Sequence, residues 1–214
     1  MPFVVLTLAL LLWQAAPPLA PPANLPDPAA AALARSLEAA RAHKVHVWRD
    51  TRPVNPDGTI TAYIEIPRGE RRKWEFSIPR NTRVVDRVLP RALGGFPVNY
   101  GFVPQTISYD GDPSDALVLG RPLRGGALVR GAIVGILHME DEKGLDSKVV
   151  LSPMIMGKTV YAFTDGDRAR IADFFRRYKD HEPGKFSKVL GWGGPEEGLA
   201  FVQRTHGFFT AARR

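Results

Sequence analysis

The chain has no cysteine among its 214 residues. That removes disulfides, thiolate metal sites and a cysteine nucleophile together, and it leaves the redox compartment open. Its five histidines never fall at H-x-x-x-H or H-E-x-x-H spacing, so a zinc-protease helix has no frame. His138 falls in a predicted strand and His206 in the last predicted helix, where structural or surface roles suffice. No G-x-S-x-G elbow surrounds Ser114, which argues against a serine hydrolase. Gly157-Lys158-Thr159 looks like the end of a phosphate loop. However, the required first glycine falls at Ser152, Pro153 follows it, and no helical pattern follows Thr159. Internal repeats are also missing.

Charge is absent from the start of the chain, where the first charged side chain is Asp27. Before it, Phe3 to Trp13 is apolar except for Thr7, a run too short to span a bilayer comfortably. It suits the core of a secretory signal, with Ala15, Ala16, Ala20 and Ala23 as small residues for cleavage. No lysine or arginine precedes it, and Pro17, Pro18, Pro21 and Pro22 crowd the cleavage sites. Export is the expectation, periplasmic or secreted. An uncleaved anchor and a misplaced start codon are the alternatives.

The whole chain carries a net charge of +7. That balance fits a solvated basic surface or an anionic partner. The basic residues form no single block and no nucleic-acid motif accompanies them, so nucleic acid is not the expected partner.

Residues 1–26 read as a leader with a Pro/Ala-rich linker. Asp27-Pro28 reads as an N-cap and first-turn proline, opening a short alanine-rich helix to about His43, outside the main domain. The accessory segment is thus 27–44 and the domain 45–214. From about Val45 the pattern turns to β. Tyr63 to Ile66 and Lys73 to Phe76 alternate, with Pro67 to Arg72 as the connecting turn of a hairpin. Period two then puts Glu65, Lys73 and Glu75 toward one space. Further strands are expected at Ala116 to Leu119 and Ala132 to Met139, with a turn at Glu140 to Leu145 and a returning strand opened by Asp146 and Lys148. Helices are expected at Asp167 to Asp180, with a stripe of Ile171, Phe174, Phe175 and Tyr178, and at Pro195 to about Arg213. Short strands with Gly/Pro turns make the fold mainly β (α+β), a barrel or a sandwich.

The most informative stretch is Tyr109 to Asp115. Asp110, Asp112 and Asp115 crowd three carboxylates around Gly111 and Pro113. Each pair at 4 Å would repel by roughly 4 kcal/mol at an effective dielectric near 20. A hard divalent cation would relieve that repulsion. A solvated Asp-rich turn remains the plain alternative. An EF-hand fails, because the glycine and glutamate it needs at positions six and twelve are Asp115 and Arg121 here. The β pattern gathers Glu65, Glu75, Asp141 and Asp146 with the cluster, together with Lys73, Arg87, Lys148, Lys179, Tyr100 and Tyr178. Such a pocket is net negative and would raise its own carboxylate pKa values unless metal neutralised it.

With these residues in view, the chain resembles the soluble family I inorganic pyrophosphatases from about residue 45 to 205. The carrying segments are Tyr-Ile-Glu-Ile-Pro (63–67), Lys-Trp-Glu (73–75), Val-Asp-Arg (85–87), Asn-Tyr-Gly-Phe (99–102), Asp-Gly-Asp-Pro-Ser-Asp (110–115), Asp141 to Lys148, and Phe-Phe-Arg-Arg-Tyr-Lys-Asp (174–180). The resemblance implies a five-stranded, OB-like closed barrel flanked by two helices, with the N-terminal helix added. It implies Mg²⁺-dependent hydrolysis of pyrophosphate to two phosphates by a metal-activated water, with several ions bound and Mn²⁺ or another divalent ion possible. In that frame Asp110, Asp115 and Asp146 are metal ligands, and Asp141 and Glu75 hold further metal. Glu65 stands behind them and Asp112 is the general base. Lys73, Arg87, Tyr100, Lys148, Tyr178 and Lys179 bind substrate. Homo-oligomers, hexameric or dimeric, are implied too, and family habit favours the cytoplasm. The basic turn with Arg68, Arg71 and Arg72 and the N-terminal extension depart from the family pattern. A related phosphoanhydride hydrolase, a catalytically dead relative and a non-catalytic polyanion-binding barrel are the competing readings.

Overall fold

The computed structural model describes residues 23–213. The apolar run Phe3 to Trp13 and the leader up to residue 22 lie outside the described residues. Among the described residues no helix is long and apolar enough to cross a membrane.

The chain opens with α1 (Asp27–Ala40) and a single turn, α2 (Val47–Asp50). Strands β1 (Ile60–Ile66), β2 (Arg72–Ser77), β3 (Thr82–Val88), β4 (Asn99–Phe102) and β5 (Asp115–Val118) follow. Next come β6 (Leu128–Asp141), β7 (Gly144–Leu145), β8 (Lys148–Ile155) and β9 (Lys158–Thr159). Helix α3 (Asp165–Arg177), β10 (Ser187–Gly193) and α4 (Pro195–Ala211) complete it.

Five strands close on themselves. β1 pairs with β4 and β6, β4 with β5, β5 with β8, and β8 with β6. The resulting ring is the expected barrel, with β10 added on β6. β5 is buried on both sides after its first residue, which explains the unbroken apolar run after Asp115. Ala116, Val118, Val149 and Leu151 pack with Phe201 and Val202 of α4. Leu117, Leu119 and Val150 pack with Ile171, Phe174 and Phe175 of α3.

Several expectations are corrected. The hairpin between Tyr63–Ile66 and Lys73–Phe76 does not form, because both edges of β1 are already used by β4 and β6. β2 pairs with β3 instead, as a separate two-stranded ribbon. Asp27 is the first residue of α1 rather than its cap. Pro26 occupies the cap with extended backbone, and no side chain bonds there. Proline at the second helical position needs no N–H partner, so the helix can begin one residue early. α3 begins at Asp165, because Thr164 caps it in a reciprocal box with Asp167. It stops at Arg177, leaving Tyr178 as the buried cap residue. α2 falls inside the region expected to be β, and β10 was not anticipated. α1 is seated on the body: Leu33 and Ala40 share a buried cluster with Trp48, Tyr63, Phe102, Ile107 and Phe209.

Topology decides where the polar residues meet. β5 and β8 run parallel, with Ala116 opposite Val149. Asp115 and Lys148, their first residues, therefore start side by side at one end of the ring. β6 runs antiparallel to β8, with Leu137 opposite Lys148, and carries Asp141 to the same end.

Candidate active site

A cavity of about 440 Å³ opens at that end of the ring. All thirteen residues singled out from the sequence line it: Glu65, Lys73, Glu75, Arg87, Tyr100, Asp110, Asp112, Asp115, Asp141, Asp146, Lys148, Tyr178 and Lys179. The failed hairpin does not disperse its three polar residues. Glu65 accepts a 2.6 Å hydrogen bond from the Phe76 N–H, which ties β1 to the β2–β3 ribbon.

The wall is a grid of opposed charges. Lys148 Nζ donates to both Asp115 and Asp146, at 2.5 and 2.8 Å, and its side chain is almost wholly buried. Lys179 bonds Asp141 and Glu142, each at 2.8 Å. Lys143 reaches Asp112 at 3.0 Å. Lys73 pairs with Glu75 and, at 3.3 Å, with Asp86. Arg87 bonds Asp86, Glu182 at 2.6 Å and the Tyr178 hydroxyl at 3.3 Å. Its Nε is buried without a partner among the described residues. Among the described residues no three acidic or imidazole groups converge on one ion position as the side chains stand. Lysines occupy the space between them instead.

Sequence reasoning missed Asp86, Glu142, Lys143 and Lys185, which also line the cavity, and Glu182 behind Arg87. Lys143 meets Asp112 and Glu142 meets Lys179 more than thirty positions away, so periodicity carries no trace of those pairings. The signal that was available is adjacency: Asp86 precedes Arg87, and Glu142 and Lys143 follow Asp141. With them the lining has nine carboxylates against six lysine and arginine cations, so it stays net negative.

That imbalance acts on the titrating groups. Burial, then the charges of Asp112 and Asp115, push the Asp110 pKa up. Burial raises Asp146 as well; Lys148 opposes the shift while Asp115 and Asp110 add to it. Glu65 is pushed up to about 8 by burial first and then by Asp115. Burial works against the Lys148 charge, but Asp115 and Asp146 outweigh it and hold the ammonium protonated. Tyr178 is raised to about 12 by burial, although Lys73, Arg87 and Lys148 pull the other way. It keeps its hydroxyl proton and can donate it. Buried carboxylates in excess, all oxygen donors, with no thiol and no imidazole in the lining, are the ligand set of a hard divalent cation.

Fold and site together define a class: a closed β-barrel with a carboxylate-rich cavity at one end, its carboxylates interleaved with lysine, arginine and tyrosine. Comparison with known proteins makes the class specific. The sequence profile of the family described as inorganic pyrophosphatase matches residues 62–210. The inorganic pyrophosphatase of Aquifex pyrophilus is 39% identical over 158 residues, covering 70% of this chain and 89% of that protein. That of Caulobacter vibrioides is 40% identical over 159 residues, with 70% and 89% covered. The crystal structure of inorganic pyrophosphatase from Thermus thermophilus superposes with a TM-score of 0.70 at 34% identity, covering 78% of this chain and 99% of that one. The chain belongs to the inorganic pyrophosphatase family.

Proposed function

We propose that this chain hydrolyses inorganic pyrophosphate to two phosphates, with Mg²⁺ as the working ion. The observation that carries the proposal is the convergence of all thirteen residues on one cavity, in a chain of this family. Asp110, Asp115 and Asp146 would hold cations, with Asp115 shared between two. Asp141 and Glu75 would hold ions that arrive with the substrate. Bound divalent cations would neutralise phosphate charge and make water more acidic.

The protein's own groups have definite tasks. Lys73, Arg87, Lys148 and Lys179 already hold carboxylates, and phosphate oxygens can take those donors in exchange. Tyr100 and Tyr178 donate from hydroxyls whose pKa values are raised by burial. The unpartnered Arg87 Nε is one more buried donor on the same wall. Fixing the diphosphate in line with a water is most of what phosphoryl transfer needs. Water oxygen bonds to one phosphorus, and the bridging P–O bond breaks. The bridging oxygen leaves with the second phosphate, and the proton from water passes to Asp112. Asp112 is exposed and its carboxylate is held by an exposed lysine, which leaves it free to reorient toward water. Glu65, behind the ligands, bonds the ribbon that carries Lys73 and Glu75.

Phosphate release from pyrophosphate by purified protein tests this reading. Release with millimolar Mg²⁺, abolished by chelator, is expected; no release at any Mg²⁺ concentration would overturn it. Turnover of ATP exceeding that of pyrophosphate would favour another phosphoanhydride. Two companion readings carry their own tests. The apolar run before Asp27 supports export, and residues 1–26 fused to a reporter active only outside the cytoplasm should give signal. A silent reporter contradicts export. Family resemblance supports self-association, which light scattering should show as a dimer or hexamer rather than a monomer.

A further inference from the structure

The loop that carries Asp110 and Asp112 leans on a helix upstream of the family match. α1 ends at Ala40, and the matched region begins at residue 62. At Gly111 the backbone is left-handed, with φ +88°. A Cβ placed there would stand 2.8 Å from the Ala32 Cβ and 3.3 Å from the Ala29 Cα. Helix and loop therefore touch without room for one methyl group between them. Ala29 is buried in that contact, and Leu33, one turn on, anchors the helix below it.

The base of α1 is tied in as well. Arg49 donates to the carbonyls of Ala40 at 2.7 Å and His43 at 3.0 Å. Its neighbour Trp48 donates from Nε1 to Thr106 O at 2.9 Å. Thr106 Oγ1 in turn accepts from the Ser114 N–H at 2.9 Å. The stretch 106–114 is thus braced at Gly111 by α1 and at Ser114 by way of α2. Besides the Ser114–Thr106 bond its internal bonds are few: Ser108 N–H to Asp112 O, Gly111 N–H to Ser108 O, and Asp112 N–H to Asp110 Oδ1. The buried hydroxyls of Ser108 and Ser114 find no partner among the described residues, so they do not lock the loop.

We infer that α1 is a positioning element for the carboxylate loop, with Ala29 and Ala32 seating Gly111 and so fixing where Asp110 stands relative to Asp115. The inference rests on the reading of Asp110 and Asp115 as cation ligands. Close packing leaves the loop nowhere to relax while the helix is in place. Groups that orient ligands without touching the ion act on ion affinity.

The test uses the full chain with Ala32→Leu, and Ala31→Leu as an exposed control on the same helix. Ala32→Leu should raise the Mg²⁺ concentration for half-maximal pyrophosphate hydrolysis about tenfold, with kcat at saturating Mg²⁺ changed less than about twofold. Calorimetric Mg²⁺ binding without substrate should weaken by the same factor. Amide exchange should quicken across residues 108–115 while β6 and β8 stay as in the parent. Ala31→Leu should match the parent throughout. Unchanged Mg²⁺ affinity in folded Ala32→Leu, or exchange no faster in the loop than in β6 and β8, would overturn the inference. Should Ala32→Leu not fold, Ala32→Ser is measured by the same criteria. If the parent binds no Mg²⁺, the ligand reading fails, and loop exchange alone decides whether α1 clamps.

Discussion

Asp110 and Asp112 are two residues apart and live in different surroundings. Asp110 is crowded and its pKa is raised by burial and neighbouring charge; Asp112 is exposed and paired with Lys143. In the proposed reaction Asp112 takes the proton. Asp112→Asn should lower kcat by about 10²-fold or more while calorimetric Mg²⁺ binding persists, and unchanged turnover would remove it as base. Lys148 makes a second prediction. Its ammonium separates Asp115 from Asp146, so Lys148→Met leaves two buried carboxylates facing each other. Without divalent ions the variant should lose up to about 3 kcal/mol in urea unfolding, and Mg²⁺ should restore part of it. An equal loss with and without Mg²⁺ would contradict the ligand roles of Asp115 and Asp146. Individual site residues were legible in the sequence because acids and lysines beside apolar strands are costly without a purpose. The outer ring of partners was not. Lys143 meets Asp112 across 31 positions, and Lys179 meets Glu142 across 37.

Elements were legible where a period repeats and illegible where it does not. β1 and β2 both alternate, but alternation names a face and never a partner. The partner of β1 follows from ring closure, which no local stretch contains. α2 is four residues long, too short for a stripe, and β10 carries Gly191 and Gly193, which dilute a strand signal. Among the described glycines the least room is at Gly101 in β4, where a Cβ would fall 1.8 Å from the Tyr63 carbonyl oxygen of β1. Gly101→Ala should push β4 from β1 and cost about 3 kcal/mol or more, read as a lowered melting temperature; an unchanged melt would refute that packing. α2 supplies the pH-dependent prediction. His46 caps it, accepting from the Arg49 N–H at Nδ1 while Nε2 meets the Ile78 carbonyl. Burial lowers its pKa below 6.5. The unfolded chain therefore binds the proton first on acidification. Stability is held above pH 6.5 and falls as pH drops below it, by at most about 1.4 kcal/mol per unit. Urea unfolding of the parent and His46→Asn across that window should diverge; parallel curves would contradict the assignment.

At the scale of the whole molecule, a net negative cup sits in a chain of net charge +7. The remaining surface is strongly basic, a field that would draw a small polyanion toward the cup, which on the proposed function holds cations to accept it. Raised salt should therefore lower kcat/KM for pyrophosphate more than kcat, because screening weakens long-range attraction first. Ring closure brings β5, β6 and β8 to one end, so residues from Glu65 to Lys179 line a single cavity. The most direct test of that site is phosphorus NMR of magnesium pyrophosphate with the full chain in ¹⁸O-water. The pyrophosphate resonance should disappear and two phosphates form per molecule consumed, one of them carrying a single solvent oxygen. A pyrophosphate signal that persists with Mg²⁺ present, or phosphate free of solvent oxygen, would contradict it.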